Sequence, residues 1–190
     1  TGSDLGVWDW SAPTGEVFFS DRWKSMLGYA PQEIGNRLDE WSSRVHPDDL
    51  PATLAAVQEH LDGKTPFYLS IHRVRAKDGS YREILDRGKV ITRTPDGRPL
   101  RVIGTHQDVT EQRQAEAAAR QLQQQLSALL RFSPSLIAVI DRDGRYLQAS
   151  ASIAAAIGRT QQEIVGRRIS EILPADTAAT FQNRLTQVFG

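Results

Sequence analysis

The sequence contains no cysteine. A chain without cysteine forms no disulfide, has no thiol nucleophile, and holds neither a thiolate zinc site nor an iron–sulfur cluster. Basic and acidic residues number 23 each, so the formal net charge at pH 7 is zero. Nucleic acids and anionic lipids attract proteins through an excess of basic residues. The sequence therefore predicts neither nucleic-acid binding nor membrane contact.

Long apolar runs are also missing. No stretch approaches the run of about 18 apolar residues that a membrane helix needs, and the first ten residues lack the basic and apolar regions of a signal peptide. We therefore expect a cytoplasmic location. The only methionine is Met26, which favours a segment of a longer protein. Its 190 residues, 39% of them hydrophobic, suffice for one large or two small globular domains.

Motifs of catalysis are absent as well. The sequence has no glycine-rich phosphate loop and no Gly-x-Ser-x-Gly turn around a serine nucleophile. Four histidines are spread over predicted loops, helices and strands: His46, His60, His72 and His106. They lack the spacing typical of metal sites, so we expect no metal. The adjacent Asp48 and Asp49 precede a predicted helix, where capping is more common than acid–base catalysis. We predict no catalytic residue.

Two segments that lie 130 positions apart share a pattern. Residues 27–34 (LGYAPQEI) and 157–164 (IGRTQQEI) both read aliphatic-Gly-x-x-x-Gln-Glu-Ile. A glycine followed by a short strand pattern precedes each of them, Gly15 in the first copy and Gly144 in the second. The shared order of turn, strand, helix and helix-ending glycine predicts a repeated domain.

The segment between the copies predicts a helix. Residues 111–130 contain no glycine or proline and are rich in alanine, glutamine and leucine. Five apolar residues recur at alternating steps of four and three, as in a coiled-coil seam: Ala115, Ala119, Leu122, Leu126 and Leu129. The same spacing fits an amphipathic helix packed on its own domain. We expect the three leucines to hold a homodimer, and the sequence leaves both arrangements open.

The first copy has the pattern of an α+β domain. Strands are predicted for five segments: Leu5–Trp10, Glu16–Ser20, Phe67–Ala76, Tyr81–Thr92 and Leu100–Val109. Helices are predicted for Asp21–Leu27, from about Pro31, and from the capping pair Asp48–Asp49 to Gly63. Glycine-containing turns separate the last three strands. This order predicts a five-stranded antiparallel sheet with small helices on one face.

Six short motifs within residues 6–110, taken in order, resemble a PAS domain of the PAS-plus-PAC type. They are Gly6-Val7-Trp8-Asp9-Trp10, Leu27-Gly28-Tyr29, Asp39-Glu40-Trp41, His46-Pro47-Asp48-Asp49, Arg73 through Lys77-Asp78-Gly79, and Asp108-Val109-Thr110. Glu83 departs from the family pattern, because relatives often carry tryptophan there. Residues 133–190 resemble the front half of a second PAS domain without its three closing strands. We therefore predict a sensor domain over 1–110, a helical linker over 111–132 and a partial domain over 133–190.

The resemblance implies a regulatory sensor module of a multidomain protein, either a histidine kinase or a cyclic-dinucleotide enzyme. Neither a phosphoacceptor-histidine box nor a Gly-Gly-Asp-Glu-Phe motif occurs in the sequence. We therefore expect the catalytic output domain to lie elsewhere in the same chain. The alternative is a ligand-free PAS module that serves dimerisation and protein interaction.

A PAS ligand, where one binds, lies between the long helix and the inner face of the sheet. By this resemblance five apolar residues line the space: Leu54, Val57, Leu61, Leu69 and Ile71. His106 stands where flavin-binding relatives carry a glutamine that contacts the flavin, although its strand position favours a histidine facing solvent. The flavin adduct chemistry is excluded because it needs cysteine, and haem would need His60. We expect no cofactor, with flavin and haem as alternatives.

The exit motif and the second copy carry two further expectations. Asp108 and Thr110 stand where the last strand meets the linker, and we expect them to cap the helix. The resemblance implies that this junction also relays the signal. In the second copy, four apolar residues lack the strands that would cover them: Leu136, Ile137, Val139 and Ile140. We expect this region to be loosely ordered or to pack against a neighbouring chain.

Overall fold

The computed structural model describes residues 4–189, except for the side chains of residues 130–132, 182, 184–186, 188 and 189. Contacts divide the chain into two compact units, the first extending to Ala115 and the second beginning at Glu116. Each unit has its own hydrophobic core.

The first unit is built on one antiparallel sheet. Its strands are β1 (Gly6–Ser11), β2 (Val17–Phe19), β3 (Tyr68–Arg75), β4 (Tyr81–Arg93) and β5 (Pro99–Asp108). They lie in the order β2-β1-β5-β4-β3, and all four neighbouring pairs are antiparallel. The predicted α+β class and the predicted five strands are confirmed. Positive φ angles at Gly15, Gly79 and Gly97, which side chains disfavour, allow the three hairpin turns.

The segment between β2 and β3 holds the helices. They are α1 (Asp21–Met26), a 3-10 turn (Pro31–Glu33), α2 (Asp39–Ser42) and α3 (Leu50–Leu61). The short helix α2 was not predicted. Asp49 occupies the cap position of α3, but its side chain makes no capping bond. Its carboxylate instead accepts hydrogen bonds from the backbone and guanidinium of Arg73, which lower its pKa to about 2. The predicted capping role of the Asp48–Asp49 side chains is therefore wrong.

Two glycines on the inner face of the sheet lie directly against the indole ring of Trp8. Gly88 and Gly104 are paired across β4 and β5, and Gly104 is also opposite Trp8 on β1. A Cβ atom on Gly88 would lie 2.5 Å from the Trp8 ring. On Gly104 it would overlap both that ring and the Arg87 carbonyl oxygen. The glycine pair thus forms a slot in which the Trp8 indole lies against the sheet.

The helix α4 (Thr110–Phe132) follows β5 directly, which confirms the predicted helical linker. The leucines of the predicted seam are solvent-exposed in the single chain, at 67% for Leu122, 45% for Leu126 and 71% for Leu129. None of the helices in residues 4–189 is long and apolar enough to span a bilayer.

The second unit contains the remaining elements. They are β6 (Ala138–Ile140), β7 (Tyr146–Ala149), α5 (Ala151–Ile157), α6 (Gln161–Ile164), α7 (Ile169–Ile172) and α8 (Ala175–Phe189). The sheet has two antiparallel strands, as the predicted truncation requires. Its core is small and centres on Tyr146, Ile164 and Ile169. Whether the unit is loosely ordered stays a prediction.

Candidate functional site: a cavity in the first unit

A cavity of about 360 Å³ lies between α3 and the inner face of the sheet. Five aromatic side chains form much of its wall: Trp8, Trp10, Phe19, Trp41 and Tyr68. Aliphatic residues of α2–α3 and of the sheet complete the lining, among them Leu54, Val57, Leu61 and Val102. Small-molecule sites are typically cavities of roughly 300–1,000 Å³ with apolar walls and a few placed polar groups. This cavity is at the small end of that range.

A buried carboxylate marks the polar end of the cavity. Asp86 is 3% exposed, and its Oδ1 accepts a hydrogen bond of 2.9 Å from Trp8 Nε1. Its Oδ2 lies 3.0 Å from Nε2 of His106, which is 2% exposed. The two residues are opposite each other in the β4–β5 register. Since burial of an unpaired carboxylate is costly, these two contacts are what keep Asp86 inside the unit.

A second buried histidine lies beside this pair. Trp41 Nε1 donates to His72 Nε2 at 3.2 Å, and His72 Nδ1 is 3.3 Å from the Ser70 hydroxyl. Burial disfavours the charged imidazole and lowers the pKa of His72 to about 4, against the opposing attraction of Asp86. At neutral pH His72 is therefore uncharged.

The buried histidines and Asp86 lie close enough together to be considered as metal ligands. One ligand atom from each of His72, Asp86 and His106 lies within 4.8 Å of the others. A neutral imidazole has one lone pair, however, and on His72 that lone pair accepts from Trp41. His106 likewise directs Nε2 at the carboxylate. His106 is thus paired with Asp86, while His72 is hydrogen-bonded to Trp41 and has no lone pair open to a metal.

Some buried polar atoms along this cavity have no partner. Among the residues that the structure describes, no hydrogen bond is made by Trp10 Nε1 or by His106 Nδ1. The Tyr68 hydroxyl lies close to the Ser70 hydroxyl and the Asp86 carboxylate. The side chains of Trp10, Tyr68 and His106 all line the cavity. Burial, together with the charge and the contact of Asp86, raises the pKa of Tyr68, so that its hydroxyl keeps its proton.

Some of the predicted lining residues line the cavity, and others lie on the outer face of the sheet. Leu54, Val57 and Leu61 line the cavity, as does His106. Predicting that His106 faces solvent was wrong, because its position on β5 directs it inward, toward Asp86.

The placement of Leu69 and Ile71 in the cavity was also wrong. Both are 48% exposed and lie on the outer face of β3. Side chains alternate along a strand, and it is Tyr68 and His72 that face inward. Leu69 and Ile71 of β3 thus face outward, while Tyr68, His72 and Val74 face the interior.

His60, the residue that haem would need, has both ring nitrogens occupied. The backbone N–H of Val90 donates to Nε2 at 3.0 Å, and Nδ1 lies 3.0 Å from the Thr65 carbonyl oxygen. The side chain thereby ties the end of α3 to β4. No nitrogen of His60 is free to bind iron, so His60 as it is placed does not fit haem ligation.

The junction of β5 and α4 is a compact set of hydrogen bonds. The Asp108 carboxylate accepts from the backbone N–H of Thr110 at 2.9 Å and from its hydroxyl, as the capping prediction for Asp108 requires. The Thr110 side chain was also expected to cap α4, but among the described residues its hydroxyl accepts from β4 instead. The Thr110 hydroxyl in turn accepts from the backbone N–H of Glu83 at 2.8 Å. The Glu83 carboxylate is 3.1 Å from Nε of Arg113, one turn into α4. Glu83, the residue that departs from the family pattern, therefore contacts the first turn of α4 through both its backbone and its side chain.

Sequence reasoning missed Tyr68, His72 and Asp86. A usable signal was present, because Tyr68, Ser70 and His72 alternate on one face of a strand, which is unusual for a face turned to a core. The pairing of Asp86 with His106 requires the strand register, which the sequence does not state.

Comparisons with known proteins agree with this architecture. The PAS fold family matches residues 16–106 and again residues 130–189. The solved structure of a sensory box histidine kinase/response regulator from Burkholderia thailandensis is 34% identical, with a TM-score of 0.59, and the match covers 67% of this chain and 94% of that one. The chain belongs to the PAS fold family.

Curated relatives are sensors much longer than this chain. The two-component sensor PprA of Pseudomonas aeruginosa is 29% identical over 88% of this chain, which spans 18% of PprA. The sensor protein FixL of Bradyrhizobium diazoefficiens is 25% identical over 91% of this chain, which spans 34% of FixL. A probable diguanylate cyclase of Escherichia coli, DgcE, is 24% identical over 89% of this chain, which spans 15% of DgcE. The chain is thus a sensory signal-transduction module.

Proposed function

We propose that the first unit binds a small molecule in its cavity and reports the occupancy through the β5–α4 junction. The observation that carries this proposal is the cavity of about 360 Å³, which has an aromatic and aliphatic wall and two buried polar side chains, Asp86 and His106, in its lining. A core packed only for stability would leave little space of this kind.

The route from the cavity to α4 is short. His106 is two residues before Asp108 on β5, and Asp86 is three residues after Glu83 on β4. Because Thr110 bonds to both strands, a change in their spacing around the Asp86–His106 contact would alter the first turn of α4. We assign the relay to Asp108 and Thr110, with Glu83 as their anchor.

The output is proposed to lie elsewhere in the same chain. One relative named as a two-component sensor and one named as a probable diguanylate cyclase favour a histidine kinase or a cyclic-dinucleotide enzyme. A histidine kinase and a cyclic-dinucleotide enzyme both consume cytoplasmic nucleotides, so we place this segment in the cytoplasm. The segment itself is proposed to be catalytically silent, with domain boundaries at 1–110, 111–132 and 133–190.

Ligand binding can be tested through the tryptophan indoles. Trp8, Trp10 and Trp41 line the cavity, whereas the fully buried Trp23 does not. With naphthalene as an apolar probe, we expect the first three indole N–H signals to shift in ¹H–¹⁵N spectra and that of Trp23 to shift least. The variant Val57→Trp fills the cavity from α3 and should abolish the shifts. Unchanged spectra at saturating naphthalene would refute the proposed binding site.

The exposed seam of α4 favours a parallel homodimer. Burying Leu122, Leu126 and Leu129 against a second copy would remove apolar surface from water. We expect light scattering to report a dimer for the parent chain and a monomer for Leu126→Glu, which places two like charges in the seam. Gln124→Glu, on the opposite side of the same helical repeat, is the matched control and should remain dimeric. A dimer in both variants would move the interface elsewhere.

The runner-up function is a ligand-free interaction module. The outer sheet face favours it, because Val7, Leu69, Ile71 and Ile103 expose apolar surface there. Under this alternative the cavity stays empty and naphthalene causes no shifts at the three cavity indoles. The spectra described above therefore separate the two functions.

A further inference from the structure

The lining of the cavity holds a buried negative charge and no fixed positive one. The Asp86 carboxylate is 3% exposed and lines the cavity from β4. Burial raises the pKa of Tyr68, and the charge of Asp86 raises it further, so that charge acts on the neighbouring lining. Among the described residues, no lysine or arginine lines the cavity. A negative group inside would therefore find no fixed cation to pair with.

The two histidines of the lining do not replace the missing cation. Nε2 of His60 accepts the backbone N–H of Val90 at 3.0 Å, which requires a nitrogen without a proton, so His60 is uncharged. His106 lies 3.0 Å from the Asp86 carboxylate. If His106 is protonated, the carboxylate beside it cancels its charge, and if it is neutral, the pair carries one negative charge. In neither state does the pair offer a net positive charge.

The solvent side of the cavity is uncharged as well. Leu54 and Gln58 of α3 belong to the lining and are exposed, Leu54 at 44%. A ligand whose polar end lay at this opening would meet no cation from either side chain. Much of the remaining wall is aromatic, and the faces of aromatic rings carry partial negative charge. The opening and the wall are therefore no more favourable to an anion than the buried end.

An anion in such a cavity loses its hydration without gaining a counter-ion. Charged groups are rarely buried unless they are paired and hydrogen-bonded, because the loss of hydration is costly. Like charges a few Å apart also repel strongly where the effective dielectric constant is low. An uncharged molecule of the same shape avoids both penalties.

We propose that the cavity excludes anionic molecules and takes compact apolar ligands that carry no carboxylate or phosphate group, with Asp86 as the residue that sets this selectivity. The inference rests on the proposed function, because it assigns the ligand chemistry of the same cavity. The aromatic and aliphatic wall supplies the affinity for apolar molecules, and the Asp86 carboxylate discriminates among them by charge.

Two probes of nearly the same shape test the selectivity: 2-naphthamide, which is uncharged, and 2-naphthoate, which is ionised at neutral pH. The parent chain is titrated with each probe and followed through the indole N–H signals of Trp8, Trp10 and Trp41. We expect 2-naphthamide to bind more tightly by about tenfold or more. Equal affinities would overturn the selectivity and leave the naphthalene site in place. If neither 2-naphthamide nor naphthalene binds, both proposals fail.

Ionic strength separates a charge inside the cavity from charges on the protein surface. Salt screens exposed charges, whereas buried charges are screened much less. We expect the preference for 2-naphthamide to be the same at about 0.05 M and about 0.5 M sodium chloride. A preference that disappears at the higher concentration would place its cause on the surface and contradict the proposal.

A variant then assigns the selectivity to its residue. Asp86→Asn keeps the shape of the side chain and removes its charge, so it should reduce the preference for 2-naphthamide several-fold. Glu59→Gln is the matched control, because Glu59 is exposed on α3 outside the lining. It removes the same charge from the chain and should leave both affinities unchanged.

An unchanged preference in folded Asp86→Asn would contradict the assignment to Asp86. The probe and salt measurements use the parent chain, so they decide the selectivity even if Asp86→Asn does not fold.

Discussion

The two PAS units share a serine cap near their beginning, at an offset of 130 positions. The Ser20 hydroxyl accepts from the backbone N–H groups of Val7 and Trp23, and the Ser150 hydroxyl accepts from those of Ile137 and Ile153. Each serine caps the short helix that follows and also ties it to the first strand.

The two units differ in the structure that surrounds this shared serine cap. At equivalent positions the first unit has Trp8 and Trp23 where the second has Ala138 and Ile153. The first unit continues into three more strands, which bring Asp86 and His106 beneath the aromatic wall. The second has only the hairpin β6–β7 among its described residues. The serine cap is therefore encoded locally, whereas the cavity requires large side chains and long-range strand pairing.

The largest loss of stability is expected at Trp23, the position in α1 whose counterpart in the second unit is Ile153. Trp23 is fully buried, with its ring 4.1 Å from that of Phe19. Trp23→Ala should lower the free energy of unfolding of the first unit by about 3–5 kcal/mol. The half-buried Ile153 is its counterpart, and Ile153→Ala should cost the second unit about 1–2 kcal/mol.

Urea denaturation resolves these two effects, because all four tryptophans precede residue 42 and their fluorescence reports on the first unit. Ile153→Ala should leave the fluorescence midpoint in place. A shift as large as that of Trp23→Ala would show that the units do not unfold independently.

The glycine slot should be the next most sensitive feature. Gly104→Ala forces a methyl group into the Trp8 ring and the Arg87 carbonyl, and overpacking of this kind costs about 1–3 kcal/mol. Thr105→Ala, on the other face of the same strand, is the control and should change stability by about 0.5 kcal/mol or less. Equal midpoints for the two variants in urea would mean that Trp8 does not need the slot.

Acid should affect the first unit through His72. Its pKa is about 4 in the folded state and 6.5 ordinarily, so the unfolded chain takes up the proton first as pH falls. This contribution to stability is complete above pH 6.5 and is lost between pH 6.5 and about 4, at about 1.4 kcal/mol per pH unit.

His72→Gln should reduce that slope, as measured by urea unfolding of the first unit at several pH values between 4 and 6.5. Parallel slopes in the parent and the variant would show that His72 accepts its proton readily in the folded state. The second unit provides an internal reference, since every histidine of the chain lies before residue 107.

The smallest effect is expected from the shared caps. Ser20→Ala and Ser150→Ala should each cost their own unit about 1 kcal/mol, the usual loss of an N-terminal cap. Fluorescence should detect the first change, and far-ultraviolet circular dichroism the second. Losses that differ by more than about twofold would indicate that the two caps are not equivalent.

The parts of the fold that were predicted correctly depend on neighbouring residues. Turn glycines, the composition of α4 and the Asp108–Thr110 cap act within a few positions, so the sequence pattern suffices. The site was predicted less well. Leu69 and Ile71 were placed inward because apolar residues usually face a core, yet β3 turns them outward. The facing of Asp86 and His106 depends on the β4–β5 register, which no local pattern contains.

We propose that occupancy of the cavity in the first unit alters the first turn of α4. Hydrogen exchange of the full chain with and without saturating naphthalene, followed by mass spectrometry, tests it most directly. We expect slower exchange in β4, β5 and the first turn of α4 (residues 110–113), with residues 133–189 unchanged. In Thr110→Val we expect the effect on α4 to be lost. Protection confined to the cavity strands, with the first turn of α4 unaffected, would contradict it.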